Sequence, residues 1–400
     1  MKEQKTGLAA LAGAFLKLGA MSYGGPAIMG IMQAELQEKR GWISKEKFLE
    51  GLALVNMLPG PGATQLGIYV GYERAGWRGG LVAGLCFILP AFFIMLALTL
   101  AYAAYGALPA ARGAFYGLGP VVLGVFAVAL YRLGRNALKD KTQILIALAA
   151  AAAAAFTPLG IGTILLLAGC IGIALHHSKR QGLAAAAVIF ALLAALHLAA
   201  GSQPAGIDPA GSHDAAPPGL WDVTVFFFKV GALTFGGGLT MLAFVQEQVV
   251  NQLHWLTPRE YLDGLALGQL APGPILMLAA YVGYKVQGLA GAAVGAMAIF
   301  LPSFILMLSV MPVLARVRHL LWIKAAMRGI SAAAIGAIGY SLLQMAPAAA
   351  PDAVALALLV LTVIAILAWR AGPLPLMLGG AFIGATSRLN PMRQLKDLDL

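Results

Sequence analysis

Apolar residues fill long stretches of the chain, and polar residues are confined to short gaps between them. The runs at 77–105, 113–133, 143–156 and 159–175 are rich in Leu, Ala and Gly. None shows the two-residue alternation of a lipid-facing barrel strand, so the pattern predicts α-helices, some with the roughly 20 residues needed to cross the hydrocarbon of a bilayer. Two kinds of break interrupt this pattern. Gly24-Gly25-Pro26 divides an apolar run that extends from residue 7 to about residue 36, and Pro59-Gly60-Pro61 separates 48–58 from 63–72. Glycine pairs and prolines remove side-chain bulk and backbone donors, so one helix ends at such a point and another can begin. Two short helices are expected around the first break. Around the second, a helical hairpin entering the membrane and turning at the proline-glycine-proline is expected, with a kinked single crossing as the alternative. Irregular backbone at membrane depth persists only against protein or a wet cavity, so both breaks should face inward.

The whole pattern occurs twice. FLKLGAMSYGGPAIM (15–29) returns as FFKVGALTFGGGLTM (227–241), FLEGLALVNMLPGP (48–61) as YLDGLALGQLAPGP (261–274), and YVGY (69–72) as YVGY (281–284). The offset between partners is 212 or 213 residues throughout, which marks a duplicated domain. Pairs of small residues four apart, Gly80 with Gly84 and Gly291 with Gly295, suit close helix packing. The segment 182–200 is an apolar span without a counterpart, followed by a Pro/Gly-rich linker at 201–219 that has no Lys or Arg. The expected division is therefore a first repeat over 1–180, a linking span over 181–200, the linker, and a second repeat over 220–400. The N-terminal stretch reads as part of the first repeat, because Lys17 interrupts its apolar region and the duplicated block has already begun at Phe15.

Charge then sets the topology. The chain is 60% hydrophobic and only 11% charged, about half the charged share of a soluble protein. Its net charge of +11 lies in loops, so it speaks of membrane orientation and not of nucleic acid. First-half loops carry Lys39, Arg40, Lys45, Lys47, Arg74, Arg78, Arg132, Arg135, Lys139 and Lys141, where second-half loops carry little beyond Arg259 and Lys285. The bias reverses at the intervening loop, with Arg112 alone in the first half against Arg316, Arg318 and Lys324 in the second. The fold expected is an all-α polytopic membrane protein whose two homologous halves form an inverted-topology repeat with broken or re-entrant helices, N-terminus in the cytoplasm. Arg388, Arg393 and Lys396 in the tail run against this scheme.

No catalytic motif is present: HExxH, GxxxxGK[ST], CxxC and GxSxG are all missing, and Cys86 and Cys170 sit singly in apolar runs. An enzyme, a metal site and a cofactor are not expected. The breaks suggest secondary transport instead, since half-helix N-termini present free N–H groups and about half a positive charge each, which suits a small oxyanion. Lys17 and Lys229, seven residues before the first glycine of each break, either attract that anion or snorkel to an interface. Glu50 and Asp263, nine residues before each proline-glycine-proline, are candidates for a coupling proton or sit at a wet hairpin base. Asn56 and Gln269, three residues before it, are placed to bind a ligand or cap the break. A non-transporting scaffold or lipid-handling protein is the reading from another class.

The paired blocks SYGGP…FLEGLALVNMLPGP…YVGY and TFGGG…YLDGLALGQLAPGP…YVGY resemble the chromate ion transporter family in its long, two-domain form. The resemblance implies an inner-membrane exporter of chromate, driven by the proton-motive force or by anion exchange, with sulfate as the chemically similar tetrahedral dianion. It implies functional positions at Gly24, Gly25 and Pro26, at Pro59, Gly60 and Pro61, at Gly236 and Gly237, and at Pro272, Gly273 and Pro274; Ser22, Tyr23 and Thr234 beside the glycine pairs are further candidates for substrate binding. Expected partners are the oxyanion, membrane lipids and a second copy of the chain. The copies differ at Pro26 against Gly238, at Tyr23 against Phe235, and at Thr64 and Gln65 against Met277 and Leu278, so the first half should supply more polar contacts.

Overall fold

The computed structural model describes residues 7–22, 25–188, 218–235, 238–313 and 321–388, and among these every regular element is helical. The first half comprises α1 (Leu8–Met21), α2 (Gly25–Met32, prolonged by a π turn at Gln33–Lys39), α3 (Lys45–Val55), α4 (Gly62–Tyr105), α5 (Pro109–Ala137), α6 (Lys141–Phe156) and α7 (Ile161–His176). The second comprises α8 (Leu220–Ala232), α9 (Thr240–Val245, prolonged by a π turn at Gln246–Gln252), α10 (Pro258–Leu270), α11 (Leu278–Val310), α12 (Leu321–Ala349), α13 (Ala353–Ala368) and α14 (Pro373–Arg388). The described part of the linking span is helical over 179–188; its remainder and the linker up to residue 217 lie outside the described residues, as do Arg316, Arg318 and the tail beyond 388.

The described helices flanking each break run antiparallel, as the arms of a hairpin do. Phe227 lies against Gly295 and Gly231 against Ile299, so α8 runs parallel to the later part of α11; Gly19 against Phe87 repeats this for α1 and α4. Met29 reaches Gly62 and Met32 reaches Gly67, so α2 runs back alongside the start of α4. The Arg74 guanidinium donates to the Trp42 carbonyl at 3.1 Å, bringing the bases of the two hairpins to one side. Around the proline-glycine-proline, Gly51 faces the Tyr69 ring and Gly264 the Tyr281 ring, as antiparallel arms turning at residues 60 and 273 require. The expected hairpin is thus present, and the single kinked crossing is not. Each hairpin starts on a cap: Ser44 accepts from Lys47 N–H, and Thr257 with Glu260 forms a capping box. Lys47 pairs with Glu73 at 2.8 Å, and at the equivalent positions Glu260 pairs with Lys285 at 2.6 Å, the same clasp with its charges exchanged.

α4 and α11 each bend sharply at a left-handed glycine, Gly76 (φ 64°) and Gly288 (φ 59°). Beyond each bend comes the helix long enough to cross a membrane; α5 and α12 are the other two. Gly80 meets Leu308 and Gly84 meets Phe304, one partner number falling as the other rises. Corresponding helices of the two halves therefore run antiparallel, which is the inverted repeat seen directly. All four glycines also pack inside their own hairpins, Gly80 and Gly84 against Ile68, Gly291 against Gly283 and Gly295 against Ala279, but only the first pair also meets the other half.

The halves also exchange partners. α5 packs against α13 and α14 of the other half, and α12 against α6 and α7. A Cβ on Gly117 would overlap the Gly380 carbonyl, and one on its equivalent, Gly329, would overlap the Ala168 carbonyl. Overpacking of this kind costs about 1–3 kcal/mol or more. Gly329→Val and Gly117→Val should each lower the melting temperature of the detergent-solubilised protein by several degrees, measured by intrinsic fluorescence; unchanged melting would contradict the interlocked arrangement.

Candidate functional site

The two proline-glycine-proline tips meet the residues leading into the glycine pairs in two reciprocal junctions. Gly60 N–H donates to the Thr234 carbonyl at 2.7 Å, and Gly273 N–H donates to the Ser22 carbonyl at 2.7 Å. The proline-glycine-proline tip of each half is thus bonded to the residue that leads into the glycine pair of the other. Both central glycines are left-handed, Gly60 at φ 128° and Gly273 at φ 105°. Flanking prolines fix the approach, and only glycine adopts these angles without strain.

The junctions have the same backbone and different surroundings. A Cβ on Gly60 would overlap Gln65 Nε2 and Ser303 Oγ, whereas one on Gly273 would meet the Ala91 methyl. Ala91 is the counterpart of Ser303, and Met277 and Leu278 are the counterparts of Thr64 and Gln65. The Gly60 junction is therefore polar and the Gly273 junction largely apolar. Gln65 Nε2 donates to the Pro59 carbonyl at 2.6 Å, holding the tip closed. Among the described residues Thr64 Oγ1 and, beside Gly60, Gln65 Oε1 and Ser303 Oγ are buried without a hydrogen-bond partner; Ser22 Oγ is likewise unpartnered, but at the Gly273 junction, where the Ser22 carbonyl accepts the Gly273 N–H. Each unsatisfied group of this kind costs roughly 1–3 kcal/mol, so a cluster of them is unusual unless a ligand or water completes it. α4 also starts here, at Gly62, with no side-chain cap on its N-terminus, leaving N–H groups and the positive end of its dipole aimed at the same place.

Around the glycine break of the second half the hydroxyls are used internally, although of these only Thr234 corresponds to one of the unpartnered residues, Ser22. Thr234 Oγ1 donates to the Val230 carbonyl at 2.6 Å, and Thr240 accepts from Phe235 N–H at 2.7 Å, closing that break upon itself. Gly238, at φ 97°, takes a turn that the proline of the first copy could not adopt.

Two cavities approach the junctions from opposite ends of α5. The first, about 720 Å³, is lined by Glu50, Ala53, Asn56, Lys139, Lys324 and Arg328. The second, about 630 Å³, is lined by Tyr102, Arg112, Tyr116, Arg259, Asp263 and Lys285. α5 contributes Tyr116 to the second and Asn136 to the first, some 30 Å apart at 1.5 Å per residue. Glu50 and Asp263 thus occupy corresponding walls of two vestibules.

Of the expected positions, Ser22, Pro59, Gly60, Pro61, Thr234, Pro272, Gly273 and Pro274 come together at the junctions. Asn56 is exposed in the first vestibule and Gln269 is half-buried near the second tip. Lys17 and Lys229 lie exposed on the outer faces of α1 and α8, opposite buried Phe15, Leu18, Phe227 and Val230, and do not join the buried polar cluster. Tyr23, Gly24, Gly236 and Gly237 lie outside the described residues, and of Gly25 and Pro26 only the backbone, which opens α2, is described. Ser303 was missed, although LPS in one copy against LPA in the other was its signal; Tyr102 and Arg259 had no such signal.

Broken helices, inverted halves and a vestibule on each side define a membrane transporter. The chromate transporter family model matches residues 9–175 and 221–385, one match per half. The chain is 34% identical to a chromate transport protein of Cupriavidus metallidurans over 92% of its own length and 90% of that protein, and 33% identical to one of Pseudomonas aeruginosa over 83% and 79%. It is 28% identical to an uncharacterized transporter of Methanocaldococcus jannaschii over 76% of each. No solved structure matches the chain. The chain belongs to the chromate transporter family, which is a family of transporters and not of enzymes.

Proposed function

We propose that the protein exports chromate across the inner membrane by alternating access, binding one dianion at the Gly60 junction. The observation that carries this is the group of buried, unpartnered polar atoms beside the uncapped start of α4. Thr64 and Ser303 hydroxyls donate to the oxyanion, and the first N–H groups of α4 complete the cradle. The Gly273 junction, where Ala91 stands in place of Ser303 and the counterpart of Gln65 is Leu278, serves as its less polar mirror image and holds no anion.

The loop charges support a cytoplasmic first vestibule, and Lys139, Lys324 and Arg328 on its walls, against Glu50 and Asp140, favour entry of an anion from that side. Glu50 and Asp263, one per vestibule, are the candidates for coupling to the proton-motive force; exchange against another anion is the alternative driver. Lys17 and Lys229 act as interfacial anchors, their stems along lipid and their ammonium groups at the headgroups.

Purified protein in liposomes should give saturable flux of radiolabelled chromate, with unlabelled chromate competing more strongly than sulfate. Stronger competition by sulfate would make sulfate the substrate, and no anion-dependent flux from folded protein would favour a scaffold. The Lys17→Ala, Lys229→Ala double variant should keep flux within about twofold of the unsubstituted protein, as anchors should; a tenfold loss would return the lysines to the pathway.

A further inference from the structure

The two vestibules differ in depth although their walls are related by the repeat. Ala53 is exposed to the first vestibule, whereas its counterpart Ala266 is 1% exposed; Glu50 is half-buried, whereas Asp263 is 6% exposed. The first cavity reaches Met57, two residues short of the Pro59 tip, and the second stops at Asp263. The chain is thus open toward one junction face and shut at the other, and the shut side has a specific closure. Tyr102, near the end of α4 in the first half, donates its hydroxyl to Asp263 Oδ2 on α10 of the second half at 2.8 Å. Arg259 Nε lies 3.4 Å from the other oxygen, Oδ1. The Tyr102 ring is wedged edge-on between Phe115 at 4.9 Å and Tyr281 at 5.9 Å. The position equivalent to Tyr102 is Leu314, which has no hydroxyl to offer Glu50.

We infer that Tyr102, Asp263 and Arg259 form the latch of the second vestibule, holding the α10 hairpin arm against the end of α4, and that opening toward that side requires this bond between the halves to break. The residues are positioning groups for the conformational cycle. The inference rests on the alternating-access reading above but on neither the identity of the anion nor the driving ion.

Thiol accessibility tests it without any transport assay. In a background with Cys86→Ala and Cys170→Ala, single cysteines are introduced as Ala266→Cys and Ala53→Cys, and their rates of reaction with a hydrophilic maleimide are followed in detergent. Adding Tyr102→Phe removes one hydrogen bond to a charged group, so the rate at position 266 should rise roughly tenfold while that at position 53 falls. No rise at 266, or a rise at both positions, overturns the latch. Should Tyr102→Phe fail to fold, Asp263→Ala, which removes the acceptor of the same bond, is read in the same way. Because no substrate is present, a failed latch and a failed chromate assignment give separate results.

Discussion

Gly60→Ala should abolish chromate transport. At φ 128° an L-residue is strained by roughly 1–3 kcal/mol, and the added methyl would overlap Gln65 Nε2 and Ser303 Oγ, two groups of the proposed anion cradle. The tip cannot retreat freely, because its N–H is bonded to Thr234 of the other half and its Pro59 carbonyl to Gln65. Flux in liposomes should fall to background, and the melting temperature should drop by several degrees. Gly273→Ala supplies the comparison. Its methyl would press on Ala91 and would not enter a polar cluster, so it should lose comparable stability yet retain measurable flux in the folded fraction. Equal flux in Gly60→Ala and the unsubstituted chain would exclude the junction from the pathway.

The second large effect is expected from removing polarity without adding bulk. Thr64→Val with Ser303→Ala deletes two hydroxyls that make no hydrogen bond among the described residues. A hydrogen bond to a charged group contributes about 1.5–3 kcal/mol, so the double variant should bind chromate at least about 100-fold more weakly. Stability should be unchanged or slightly higher, because the substitutions leave no partner stranded. Loss of affinity together with a lower melting temperature would indicate a structural role instead.

The repeat, the hairpin breaks and the inversion were legible in the sequence, because glycine, proline and loop charge act locally and the second copy provided a control for the first. The polar excess of the first half was also legible at Thr64 and Gln65. Much of the rest was not, for a physical reason. Which tip touches which, the exchange of α13 and α14 onto α5, and the bond from Tyr102 to Asp263 are contacts between halves more than 150 residues apart, and no local propensity encodes them. The lysines left two readings open because a charge in an apolar run signals only that it must find water, headgroup or counter-ion. Both ends of that choice look alike until the buried face of the helix is known, and Lys17 and Lys229 lie opposite it.

The central claim is that two junctions alike in backbone differ in chemistry, and that only one holds the anion. Equilibrium dialysis of radiolabelled chromate against purified protein measures this directly. The account predicts one chromate bound per chain, lost in the Thr64→Val, Ser303→Ala variant and kept in an Ala91→Ser variant of the mirror junction. Two bound per chain, or one that survives the double substitution, would contradict it.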